Sequence, residues 1–144
     1  MKKINSILML ALIAVMSTLS ACKKDKKDPD PRDAFIGNYS LEIGCTNGAN
    51  GEVEQAIVKS TSNEREIIFE DFMGSGEDVR AEVTGSSFTL KKTTVELEDA
   101  NNTPFTADLT GTGTLNNKAL SIDIKLRNTA VGFSNSCEIE GEKE

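Results

Sequence analysis

Leu120-Ser121-Ile122-Asp123-Ile124-Lys125-Leu126 sets four aliphatic side chains on one face of the chain and three polar ones on the other. A strict period of two is the pattern of a β-strand with one face in a core and one in water. On a helix the same four apolar residues would scatter around the axis. Asn116-Asn117, just ahead, supplies the turn that leads into the strand.

Working outward, the same alternation recurs between Gly, Asn and Ser clusters spaced about eight to twelve residues apart, the reading of an antiparallel meander. Tyr39, Leu41, Ile43 and Cys45 share one face of a first strand, closed by Thr46 to Gly51. Glu52 to Ser60 is a second, with Val53 and Ile57 on one face. Glu66 to Met73 is a third, and the broken parity of Ile67, Ile68, Phe69 and Phe72 predicts a bulge in it. Val79, Ala81 and Val83 alternate up to Gly85-Ser86, a tight hairpin into Phe88 and Leu90. Val95 and Leu97 continue or restart a strand before 101–104, where Phe105, Ala107 and Leu109 open the next, running into Thr110-Gly111-Thr112-Gly113-Thr114. A last strand carries Cys137 and Ile139. No stretch of residues 34–144 reads as an amphipathic helix, so the expected fold is all-β: an antiparallel up-and-down meander of about eight strands.

The first 33 residues read differently. Lys2 and Lys3 precede ten unbroken apolar residues, Ile7 to Met16, long enough for a secretory signal and about half of a membrane span. Leu19-Ser20-Ala21-Cys22 then matches the lipobox of bacterial lipoproteins. Residues 1–21 are therefore expected to be a lipoprotein signal peptide and Cys22 an acylated N-terminus, palmitate included, that holds the protein on a membrane without crossing it. Lys23 follows in place of the Asp that retains many lipoproteins at the inner membrane, which points to the outer membrane; periplasmic and cell-surface faces both stay open. Residues 22–33 make up the lipidated N-terminus and a charged linker, in which Lys23 to Asp33 holds no apolar side chain and includes Pro29 and Pro31.

Composition narrows the function. The chain has no His and no Trp, so imidazole acid–base chemistry and His-ligated metal or haem sites are excluded. Without His to activate Ser or Thr, and with Lys59, Lys91, Lys92 and Lys118 scattered, no nucleophile is set up and no enzyme is expected. Glu70, Asp71, Glu77 and Asp78 flank Gly74-Ser75-Gly76 without the spacing of a calcium loop, so no metal and no cofactor is expected. Residues 34–144 carry nine basic and nineteen acidic side chains, a net of minus ten, which argues against nucleic acid as a partner.

With Cys22 used for lipid, Cys45 and Cys137 remain as a pair in an oxidising compartment. If the sheet closes with an even number of strands, the end of the first falls opposite the start of the last, and a Cys45–Cys137 disulfide would clasp the seam. For a loop this long, chain entropy credits such a bond with about 4 to 5 kcal/mol.

Phe35-Ile36-Gly37-Asn38-Tyr39, with Gly37-x-Tyr39 where lipocalins carry Gly-x-Trp, resembles the start of the small lipocalin-like domains of Gram-negative lipoproteins. The Ile67-Ile68-Phe69 to Phe72 run before a glycine turn, the Thr110 to Thr114 segment and the Cys near the C-terminus are similar too. The resemblance implies that residues 34–144 form a lipocalin-like barrel or a flattened half-barrel, and it names no ligand.

Two functions follow as expectations. The first is a non-catalytic binding module for a small apolar ligand or a peptide, its site lined by Tyr39, Leu41, Phe69, Phe88, Phe105 and Ile122, the same residues that would fill a packed core. The second is a structural or protein-interaction lipoprotein of the cell envelope, inhibitor-like binding included, which would show a filled core and apolar loops such as Ala130-Val131-Gly132-Phe133. A monomer is expected in either case.

Overall fold

A computed structural model describes residues 28–98 and 103–144. The expected signal peptide, Cys22 and the Lys23–Lys27 part of the linker lie outside them.

Eight strands follow in chain order: β1 (Gly37–Cys45), β2 (Asn50–Lys59), β3 (Glu66–Glu70), β4 (Val79–Thr84), β5 (Ser87–Glu98), β6 (Pro104–Asn116), β7 (Ala119–Asn128) and β8 (Phe133–Lys143). Each pairs antiparallel with the next, and β1 pairs with β8, so the sheet closes as an up-and-down barrel. Closure leaves no unpaired edge. It decides between the two expected shapes in favour of the barrel.

The opening stretch of sequence behaves as its period demands. Leu120, Ile122 and Ile124 are buried while Ser121, Asp123 and Lys125 are exposed. In β6 the Thr/Gly alternation turns its threonines outward and Gly111 and Gly113 inward. A Cβ at Gly113 would lie 2.2 Å from Cζ of Phe88, its cross-strand partner, so the missing side chain is the space the Phe88 ring occupies.

Among the described residues, twenty buried ones form one cluster running through the barrel, including Phe35, Phe69, Phe72 and Phe88. Phe88 meets Phe35 edge-on at 5.7 Å and Phe69 at 5.3 Å. Such ring pairs add about 0.5–1.5 kcal/mol each beyond area burial.

The third strand differs from expectation. It ends at Glu70, and Phe72–Gly74 forms a 3-10 turn with Asp71 and Met73 at positive φ. The broken parity therefore marks a strand end, and Phe72 folds back on Phe69 with ring centroids 5.7 Å apart. The register shift lies in β5 instead, between Leu90 and Thr93.

The linker expectation also needs correcting at its C-terminal end. Pro31–Ala34 is a 3-10 helix packed on the barrel, and Arg32 is buried. Its guanidinium donates to the carbonyls of Ser60 and Asn63 and pairs with Asp30 at 2.7 Å. Hydrogen bonds from the Arg32 side chain and backbone hold the Asp30 carboxyl well below the usual carboxylate range. A charged residue with a long apolar stem can pack where composition alone reads linker.

Candidate functional site

The up-and-down order gives the barrel two unlike ends. At the base lie the N-terminal 3-10 helix and the β2–β3, β4–β5 and β6–β7 turns; at the rim lie the β1–β2, β3–β4 and β7–β8 connections. Phe35 and Tyr39 seal the base. Tyr39 is fully buried and donates its hydroxyl to the Phe35 carbonyl at 2.9 Å, and burial pushes its phenol pKa up.

The candidate lining residues divide. Tyr39, Leu41, Phe69, Phe88 and Ile122 are at most 2% exposed and belong to the single core cluster, so they fill the interior by packing on one another. Phe105 stands apart. It is half-buried at the rim, paired across the sheet with Leu97, and its ring meets Phe133 at 5.0 Å.

Around Phe105 the rim gathers apolar side chains that the core does not fully cover. Leu97, Leu126, Ile43 and Val53 pack on the cluster from its upper edge and remain half-exposed. Val131, in the β7–β8 connection, is 65% exposed. Of these, Val131 and Phe133 were legible as an apolar loop; Leu97 and Leu126 read as ordinary inward strand residues, and only the height of each strand places them at the mouth.

Two polar anchors shape this end. Gln55, buried on β2, donates to the carbonyls of Ala56 and Glu70 and accepts from the Met73 amide at 3.1 Å, so it holds the Phe72–Gly74 turn against the short β3–β4 wall. Asn135, buried on β8, accepts from the Thr46 hydroxyl at 2.8 Å and from the Asn47 amide, tying down the β1–β2 hairpin. Both were missed in sequence, although parity sets Gln55 on the face of Val53 and Ile57 and Asn135 on that of Cys137 and Ile139; the signal was a polar amide at an inward position. Beneath the hairpin Cys45 and Cys137 stand opposite each other on β1 and β8, 92 residues apart in sequence, joined as the expected disulfide.

The acidic turn after β3 serves its own loop. The Asp78 carboxylate accepts from the Asp71 amide at 3.0 Å, and that of Asp71 from the Gly76 amide at 2.6 Å. On the outer wall, buried Glu66 receives hydrogen bonds from Arg80 and Lys91 on the next two strands. Burial opposes its ionisation, yet these two cations pull its pKa down to about 2.

Two hollows, of about 830 and 890 Å³, lie on the outer wall, one beside Glu42, Glu52 and Glu140, the other running over Thr110, Thr112, Asp123 and Lys125 to Cys45. The fold and its best-formed surface thus define a class: an eight-stranded antiparallel barrel, stapled across its seam and packed within, with an apolar rim.

No protein-family model and no curated protein sequence matches the chain. Among solved structures, a redesigned β-barrel is similar, with a TM-score of 0.49 and 10% identity over 80% of this chain and 96% of that one.

Proposed function

We propose that the chain is a lipoprotein of the outer membrane, anchored through acylated Cys22, whose lipocalin-like barrel is a non-catalytic interaction module that engages another envelope protein through its rim. The observation that carries this reading is the division of apolar surface. The interior is taken up by the protein's own side chains, whereas Leu97, Phe105, Leu126, Phe133 and Val131 are left partly uncovered at one end. Apolar residues grouped at a loop-bearing rim are the usual mark of a contact surface.

Position supports the same reading. The N-terminal 3-10 helix docks at the base, so a tether running from Cys22 attaches there and the rim points away from it. A small apolar ligand, the other expectation, would have to displace Tyr39, Leu41, Phe69, Phe88 or Ile122 from contacts that each already makes. The lipoprotein assignment rests on the Leu19–Cys22 motif and its place behind the apolar leader.

Cross-linking in intact cells tests the proposal. Val131→Asp and Phe133→Ser should abolish a cross-linked complex that Thr112→Asp, on the outer wall, leaves intact. Equal loss with all three, or persistence with the rim variants, would show that the rim is not the contact.

A further inference from the structure

The β1–β8 seam is the one place where the barrel joins the first strand to the last, and unneutralised carboxylates meet across it. On its outward face Glu42 stands directly opposite Glu140, and on its other side directly opposite Glu52 of β2. Among the described residues none of these three carboxylates forms a salt bridge, whereas Glu66 on the far wall is matched by Arg80 and Lys91. Like charges directly opposite on a sheet destabilise the pairing.

The inward face compensates little. Leu41 is paired with Gly141, which has no side chain to offer because a Cβ there would lie 2.0 Å from the Ser40 carbonyl oxygen. That leaves Ile43–Ile139 as the apolar pair, and above it the Cys45–Cys137 bond, the uppermost rung of the seam. Cys45 is partly exposed at the rim end of β1, so a thiol reagent can approach it from the mouth of the barrel.

We propose that Cys45–Cys137 is a redox latch: a dithiol reductant opens the β1–β8 seam while the sheet from β4 to β7 stays paired. A thiolate of the reductant attacks Cys45 Sγ and Cys137 leaves as a thiolate that takes up a proton. The reductant's second thiol then resolves the mixed disulfide, so two electrons and two protons reach the protein and the reductant departs as its own disulfide. Opening turns the closed barrel into a half-barrel and uncovers the inner faces of Leu41 and Ile139. The proposal does not depend on the membrane anchor.

Hydrogen exchange read by mass spectrometry on the full chain, oxidised and then reduced with dithiothreitol, tests it. Amides of β1 and β8 should exchange about tenfold faster or more after reduction, while those of β5 and β6 keep their protection. The Cys45→Ser/Cys137→Ser chain should show the same pattern without reductant, and adding Glu42→Gln and Glu140→Gln should slow seam exchange again. If the double-serine chain does not fold, the reduced native chain with Glu42→Gln and Glu140→Gln serves instead. Uniform acceleration through β5 and β6, an unchanged seam after reduction, or no rescue by the glutamines would each overturn the latch.

Discussion

Replacing Gly113 with Ala tests how β6 shapes the core. The added methyl would fall 2.2 Å from Cζ of Phe88 and 2.7 and 2.8 Å from its two Cε atoms, so the ring has to move. It has little room, being 2% exposed and packed against both Phe35 and Phe69. Overpacking of this kind costs about 1–3 kcal/mol. Removing a glycine from a strand interior returns about 0.5–1 kcal/mol of backbone entropy. The expected result is a net loss of about 1–2 kcal/mol, seen in urea unfolding as a lower midpoint with an unchanged slope. Phe88→Leu alone should also destabilise, by about 1–2 kcal/mol. Together the two should cost less than their sum by about 1 kcal/mol, because leucine vacates the space the methyl needs. A neutral or stabilising Gly113→Ala, or a cycle additive within about 0.5 kcal/mol, would show that the ring does not rest on the missing side chain.

Three further outcomes follow from other parts of the molecule. The folded Glu66 carboxyl titrates at about 2, below its unfolded value, so the stability it contributes is complete above the usual carboxylate range and is lost as pH falls toward 2. Glu66→Gln should flatten that acid limb and cost about 1–3 kcal/mol at neutral pH, since Arg80 and Lys91 are half-exposed and turn to water; an unchanged acid limb in an unfolding series would refute the pairing. Glu42→Gln should stabilise the oxidised barrel by about 0.2–1 kcal/mol, and less so in high salt, whereas a destabilised variant in thermal unfolding would show that the seam carboxylates do not repel. Cys22→Ala should move the protein out of the membrane fraction; retention there after the change would remove the anchor from the account.

Much of the fold was legible because it rests on period and on paired cysteines. A single inward face repeated along the chain leaves only a meander, and Cys45 and Cys137 at opposite ends of it fit together only if first and last strands meet. The misses share a physical cause, in that each depends on what a strand or loop touches rather than on its own pattern. Arg32 reads as a solvated linker residue until its guanidinium finds two carbonyls in the β2–β3 turn. Phe72 reads as part of a strand until Asp71 adopts positive φ and folds it back onto Phe69. Phe105 shares the inward face of Ala107 and Leu109, so periodicity puts it in the core; it lies at the rim because β6 outruns the short β3–β4 wall. Whether an inward aromatic lines a lumen or fills it depends on the volume left by all the others, which no local pattern encodes.

Native mass spectrometry of the protein purified from its own membrane bears most directly on the central claim of an anchored, internally packed barrel that binds through its rim. The account predicts a chain that begins at an acylated Cys22, carries no small apolar molecule, and retains a protein partner that Val131→Asp releases. An unacylated chain with its leader still attached, or an apolar ligand held inside the barrel without any partner, would contradict it.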